Sequence, residues 1–262
     1  MTKVLIITGN QLRHQYYATE IAKQLDVVGV IFEQKIIQEN KFKDQAEAFD
    51  IASTHFRKRT ESEQTYFANK VDISQLPALH LNTGASNSES TFDWVKKQAP
   101  EFLLLYGSSI IKDPLLGFFG DRVINLHLGL SPYYRGAGTN FWPLVNKEPE
   151  CVGATIHLAT AKVDAGAILK QVRPNIAVGD GPHDIGNKTI TAATKEIPQI
   201  VKAYKAGNLL PQSQDLSIGT VYRRRDLTTA AITKLYENFA AGMVNDYLQE
   251  QTIRLAKYPI ID

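Results

Sequence analysis

Runs of apolar residues alternate with amphipathic stretches along most of the chain, a pattern that predicts an open α/β sheet. Lys3 to Thr8 (KVLIIT) suits a strand buried on both faces, and it stops at Gly9-Asn10. Tyr16 to Leu25 has helical spacing and Val27 to Phe32 (VVGVIF) reads as a second buried strand, so the chain opens on a Rossmann-like βαβ unit. From Phe42 to about Asn69 an irregular apolar stripe predicts one long or broken helix, or two. Its basic cluster Arg57, Lys58, Arg59 is balanced by Glu61 and Glu63 and reads as a solvated face. Ala78 to Leu81 is a short strand, Asn82 to Ser90 a loop that borders the site, and Thr91 to Gln98 a helix.

Phe102 to Leu105 is the next buried strand, followed by one marked by Val123, Ile124, Leu126 and Leu128. Phe141 to Leu144 starts a helix, Gly153 to Ala159 is a half-buried strand, and Ile168 to Val178 is its extended, antiparallel neighbour. A helix from His183 to about Ala206 ends at Gly207-Asn208. Pro211 to Arg225 is a loop with a short strand. Asp226 then caps a helix in which Leu227, Ala231, Ile232, Leu235, Phe239 and Met243 recur at helical intervals. The expected organisation is a mostly parallel α/β domain at 1–208 with a small, mainly helical C-terminal appendage at 209–262.

Composition narrows the function. A chain of 262 residues can bury a full core. Its net charge is only +2 with both signs interspersed, so a small-molecule partner is expected and no nucleic acid. Single Cys151 excludes an internal disulfide, and six scattered histidines give no zinc spacing, so no metal is expected. No signal peptide and no membrane-spanning run are visible, and the chain reads as cytoplasmic.

The candidate chemistry lies between Asn125 and Asp164. Asn125 and His127 are two places apart on one strand, so an amide and an imidazole leave the same face. The strand runs into Ser131-Pro132 and Arg135-Gly136-Ala137-Gly138, which puts the pair at a carboxyl end, where open α/β sheets keep their sites. Asp164 in Val-Asp-Ala-Gly-Ala-Ile-Leu completes a polar trio or is an ordinary tight turn. His157 reads as a structural strand residue. The first loop, Gly9 to His14, lacks G-x-G-x-x-G, which removes a dinucleotide. Gly9, Asn10, Arg13 and His14 there suit a phosphate or pyrophosphate beside a helix N-terminus, or form a plain solvated loop. Ser131 lacks a nucleophile elbow and Cys151 a partner, against an acyl-enzyme.

Asn125-x-His127, Ser131-Pro132-x-x-Arg135-Gly136 and Asp164-x-Gly166-x-Ile168-Leu169, in this order, resemble the folate-dependent formyltransferase family over residues 1 to about 200. The resemblance implies the formyltransferase-type sheet and a formyl group carried by 10-formyltetrahydrofolate as co-substrate. It also implies a folate site along Tyr106, Gly107, Ser108, Ser109, Ile110 and Ile111, whose main chain would bond the pteridine-like ring. On residues alone that stretch is an ordinary strand-to-helix loop. In the implied chemistry, Asn125 donates to the developing oxyanion, where loss of a donor costs about 3 to 4 kcal/mol. His127 donates when protonated, and Asp164 favours its imidazolium and relays the amine proton.

The acceptor follows from the rest of the chain. Residues 209–262 read as helical, unlike the β-barrel with which methionyl-tRNA formyltransferases grip tRNA. The first loop lacks the glycine- and serine-rich form of glycinamide ribonucleotide transformylases, and Gly129-Leu130-Ser131-Pro132 departs from the Ser-Leu-Leu-Pro common to both. The closest likeness is to sugar N-formyltransferases acting on a nucleotide-linked amino sugar for O-antigen or other surface polysaccharide. Tyr133, Tyr134 and Phe141-Trp142 would pack base or sugar, with Arg135 also expected to bind the substrate, and a homodimer is expected from the same likeness. A methionyl-tRNA formyltransferase-like enzyme and a formyltetrahydrofolate deformylase are the alternatives. Arg223-Arg224-Arg225 either touches a phosphate or is surface charge.

Overall fold

The strand residues alternate between two apolar layers, and this sets the architecture. In β1 (Lys3–Gly9), Val4 and Ile6 enter one core while Leu5 and Ile7 enter the other. The same division runs through β2 (Asp26–Glu33) and β4 (Phe102–Tyr106), so each strand is apolar on both faces, as the sequence pattern requires. A computed structural model describes residues 1–35 and 41–262. Its main sheet has seven strands among the described residues. With β3 (Ala78–Leu81), β5 (Val123–His127), β6 (Tyr134–Gly136) of a second small sheet, β7 (Ala154–Leu158) and β8 (Ile168–Val172), the main order is β3-β2-β1-β4-β5-β7-β8. The first five are parallel, and β7 and β8 are antiparallel additions.

Helix α1 (Leu12–Ala22) starts earlier than the spacing predicts, so Arg13 and His14 sit on its first turn rather than in a loop. The predicted long helix is one element, α2 (Ala46–Phe67). Ser88 caps α3 (Glu89–Gln98), α4 is the short Leu115–Phe119, and α5 (Trp142–Val145) is barely a turn. Helix α6 (Pro182–Lys205) lays its buried residues against the sheet on the side of α1.

The C-terminal region is mainly helical. It contains β9 (Thr220–Tyr222), α7 (Thr229–Ala240), α8 (Met243–Gln249) and α9 (Gln251–Ala256). The cap of α7 is Thr228, which accepts from Ala231 N; Asp226 instead accepts from Arg223 N in the preceding turn. This region shares a core with the middle of the chain: Leu235, Met243, Val244 and Tyr247 pack with Trp142, Leu144, Cys151 and Ile185. Strand β9 pairs with β6, so the tail is stitched to the segment that follows His127.

Candidate active site

The sheet order places the site. The chain leaves β1 toward β2 and β3 and returns to add β4 on the other side, so a crevice opens past the carboxyl ends of β1 and β4. Gly9 and Tyr106 end those strands, and β5 beside them carries Asn125 and His127. Both residues lie on the face whose core partners are Leu103, Leu105 and Val123, where a polar pair requires its own partners.

Those partners come from β7 and the loop before β8. Antiparallel register sets His157 directly opposite Asn125, and Asn125 Nδ2 lies 3.0 Å from His157 Nε2. His157 Nδ1 lies 2.8 Å from the Leu158 carbonyl, so Nδ1 carries the proton and Nε2 accepts from the amide. That bond uses one of the two N–H donors of Asn125. His157, read from sequence as a plain strand residue, is thus part of the cluster.

His127 and Asp164 meet as the motif predicts. His127 Nδ1 is 3.4 Å from Asp164 Oδ1, and His157 Nε2 is 3.7 Å from the same oxygen. Nε2 of His127 lies 3.3 Å from Thr139 Oγ1, whose hydroxyl donates to the Leu128 carbonyl. Thr139 was invisible to the strand pattern because it comes from the loop. Burial holds His127 below the ordinary imidazole range, and the Asp164 carboxylate pulls the other way without prevailing. Asp164 thus favours the imidazolium, as expected, but does not outweigh burial, and the resting imidazole is mainly neutral. Burial also pushes the Asp164 carboxyl up, but His127, His157 and the Gly136 amide together hold it below the usual range.

Asp164 itself adopts a left-handed φ of 50°, and the structure holds it from both sides. The Gly136 amide lies 3.3 Å from Oδ2, and Gln214 Nε2 donates to the Asp164 and Gly166 carbonyls at 3.2 and 2.5 Å. Both holders depend on the tail, through the β6–β9 pair and through Gln214.

The other predicted residues are placed differently. Gly107 has a φ of 61°, and a Cβ on it would lie 2.6 Å from His14 Nε2, so the stretch Tyr106 to Ile111 leaves β4 against the ring of His14. Tyr106 is buried between His14 and Tyr17, so its side chain belongs to the core. Gly107 O accepts from Lys35 Nζ, the Ser109 hydroxyl and amide are bound by Glu33, and Ile110 is 58% exposed. Gly9 and Asn10 border this segment: Asn10 Oδ1 accepts from Lys35 N. Arg13 is ion-paired with Glu63 and also bonds Gln11, and His14 is buried, where desolvation and then Arg13, Lys35 and Arg59 keep it uncharged. Neither carries a free charge to the loop, as an anion site there would need.

Four predicted acceptor residues serve the tail. Tyr134 is buried with its hydroxyl on Glu148, and Trp142 stacks on Tyr222 with ring centres 4.5 Å apart. Arg135 donates to the Leu216 and Ile218 carbonyls, and Tyr133 to the Pro259 carbonyl. Tyr134 and Trp142 are buried in these contacts, whereas Tyr133 and Arg135 are half-buried. Arg223, Arg224 and Arg225 lie in the turn before α7, where Lys41 Nζ bonds the Arg225 carbonyl at 3.0 Å.

An open α/β sheet with an amide, two imidazoles and a carboxylate gathered beside its switch point defines an enzyme class able to stabilise an oxyanion and move a proton. A family model described as formyl transferase matches residues 2–201, and the chain belongs to that family. Among solved structures, glycinamide ribonucleotide transformylase 1 from Symbiobacterium toebii is 19% identical with a TM-score of 0.56, covering 82% of this chain and 95% of that one. An N-formyltransferase from Helicobacter canadensis, in complex with folinic acid and dTDP-3-aminofucose, is 17% identical with a TM-score of 0.55 over 87% of this chain and 73% of that one. The formyltransferase PseJ from Anoxybacillus kamchatkensis, in complex with UDP-4,6-dideoxy-4-formamido-L-AltNAc and tetrahydrofolate, is 15% identical with a TM-score of 0.51, covering 89% and 97%. At these identities the likeness is one of fold. Among the described residues no helix is long and apolar enough to cross a membrane, and no group of three His, Cys, Asp or Glu side chains is set to hold a metal.

Proposed function

We propose that the protein transfers a formyl group from 10-formyltetrahydrofolate to the amine of a nucleotide-linked amino sugar. The observation that carries the reading is the meeting of Asn125, His127 and Asp164 at the carboxyl edge of a formyl transferase sheet. The fit of the folate stretch rests on Gly107 to Ile111, whose course is fixed by Glu33 and Asn87 beside the exposed Ile110. When bound, the folate supplies a formyl carbonyl for an acceptor amine to attack. The second N–H of Asn125 donates to the oxygen on which charge develops, with the amide plane fixed by the bond of the first N–H to His157. Neutral His127 would take the proton that the amine loses and, as the imidazolium that Asp164 stabilises, would return it to the folate nitrogen that leaves when its bond to the formyl carbon breaks.

A sugar acceptor is favoured over tRNA because the tail is helical and packed into the catalytic domain, with no separate barrel among the described residues. Neighbours of the same fold bind dTDP- and UDP-linked sugars. Cytoplasmic action in building surface polysaccharide is part of the proposal. The test is tetrahydrofolate release from 10-formyltetrahydrofolate with a panel of nucleotide-linked amino sugars, glycinamide ribonucleotide, methionyl-tRNA and no acceptor. Release that requires one amino sugar, with the formylated sugar seen by mass spectrometry, is the expected result. Release without acceptor marks a deformylase, and release only with the ribonucleotide or charged tRNA overturns the sugar reading.

A further inference from the structure

Glu33 has no part in the proton transfer, yet it is a fully buried carboxylate at the carboxyl end of β2. Such a group is costly unless its lone pairs are met. They are. Oε1 accepts from Ser86 Oγ at 2.7 Å, Ser109 Oγ at 2.7 Å and Gly84 N at 3.2 Å, and Oε2 accepts from Ser109 N at 2.6 Å. Burial alone would push the carboxyl up; the bonds from Ser86, Ser109 and Gly84 outweigh it and hold it ionised.

The four donors belong to two segments. Gly84 and Ser86 come from the loop after β3, and Ser109 from the middle of the stretch that the proposed function assigns to the folate. The next residues are fastened by the same β3 loop: Asn87 Nδ2 donates to the Ile110 carbonyl at 2.9 Å and Asn87 Oδ1 accepts from Lys112 N at 2.8 Å. The main chain from Ser109 to Lys112 thus hangs on two side chains, one of them a charge.

We propose that Glu33 is a positioning residue for the folate, fixing the main chain at Ser109 so that the groups offered by Gly107 to Ile111 are set before the co-substrate arrives. This rests on the folate-dependent reading above. Preorganisation of this kind lowers the ordering cost of binding and so acts on affinity more than on the chemical step.

The two carboxylate oxygens make the idea testable. In Glu33→Gln the amide oxygen replaces Oε1, where three donors meet, and the amide NH2 then faces the Ser109 N–H, so the main-chain bond to the folate segment is lost while the bond from the Ser109 hydroxyl stays. Ser86→Ala removes a bond to the same carboxylate from the opposite loop. Titration calorimetry with 5-formyltetrahydrofolate, with steady-state kinetics alongside, compares the variants with wild type. Glu33→Gln is expected to weaken binding and raise the folate KM about tenfold, with the acceptor KM unmoved and kcat changed less than about threefold. Ser86→Ala is expected to bind near the wild-type value. Wild-type affinity in Glu33→Gln, or equal losses in both variants that track their melting temperatures, overturns the proposal. Should Glu33→Gln fail to fold, Ser109→Ala, which deletes only one bond to Glu33, is expected to weaken binding about threefold, and no change there overturns the proposal. A wild-type protein that does not bind 5-formyltetrahydrofolate would instead fail the functional reading.

Discussion

Asn125 and His157 face each other across the β5–β7 ladder, with Asn125 Nδ2 3.0 Å from His157 Nε2. The contact fixes the amide plane, because a free Asn side chain could turn either its N–H or its carbonyl toward a substrate. His157 is in turn fixed by its own Nδ1 bond to the Leu158 carbonyl. The amide therefore presents a donor without reorganising, the condition under which such a donor contributes most.

Replacing Asn125 by Ala removes the donor, and turnover is expected to fall about a hundred- to a thousandfold. His157→Ala keeps the amide but frees its rotation, and a fall of about ten- to a hundredfold in kcat is expected, with substrate KM values little changed. Steady-state kinetics with both variants tests this. Wild-type kcat in His157→Ala would remove the histidine from the mechanism.

The pH profile follows from His127. In the proposed reaction its neutral form acts as the base, so kcat/KM is expected to fall as pH falls through its pKa, which burial sets below the ordinary 6.5. Asp164 raises that pKa against burial, so Asp164→Asn is expected to move the acid limb to still lower pH while the plateau drops roughly a hundredfold. A limb that moves upward in this variant would show that Asp164 does not act on His127.

Much of this was legible in the sequence, and the boundary has a physical cause. Strands buried on both faces announce themselves as unbroken apolar runs, so β1, β2, β4 and β5 could be read with their order of chemistry, Asn125 and His127 included. Asp164 was legible only through its motif, since its place beside His127 depends on a turn. His157 was not, because one histidine in an apolar strand looks the same whether it faces a core or an amide on the next strand. That Tyr134 and Trp142 pack against the tail was not legible, because exposed aromatics and aromatics buried by a distant segment share one local pattern. The start of α1 was missed because Gln11 offers no side-chain cap to mark it.

The tail is held to the site at a glycine. Gly219 has a φ of 78°, and a Cβ there would lie 2.0 Å from the Pro132 carbonyl oxygen, a backbone atom that cannot turn aside. Gly219→Ala is expected to destabilise the fold by roughly 1 to 3 kcal/mol. It also displaces β9 from β6, whose Gly136 amide meets Asp164, so kcat should fall in the folded fraction as well. Urea unfolding and kinetics below the transition measure the two effects. A variant as stable and active as wild type would show that the β6–β9 pair does not position Asp164.

A second pair of histidines, away from the trio, is expected to make stability sensitive to acid. His55 on α2 and His183 on α6 have ring centres 4.8 Å apart, and the hydroxyl of Tyr236 on α7 lies 3.1 Å from His55 Nδ1 and 3.3 Å from His183 Nε2. Three helices meet at this contact. Burial, followed by repulsion from His183 and by Arg59 and Lys58, lowers His55 to about 3. Burial and then Arg59 lower His183 to about 4, with Asp184 opposing. In the unfolded chain both titrate near 6.5, so the unfolded state binds protons first as the pH falls. Stability is therefore full above about 6.5, declines as the pH drops toward about 4, and levels off only once the folded histidines also protonate. His55→Gln removes one of the two titrations, so the melting temperature is expected to fall less steeply between pH 6.5 and 4 than in wild type. Parallel slopes for the two proteins would mean that the acid sensitivity arises elsewhere, in the carboxylates of Glu33 and Asp164, whose folded pKa values are depressed and whose contributions vanish at lower pH.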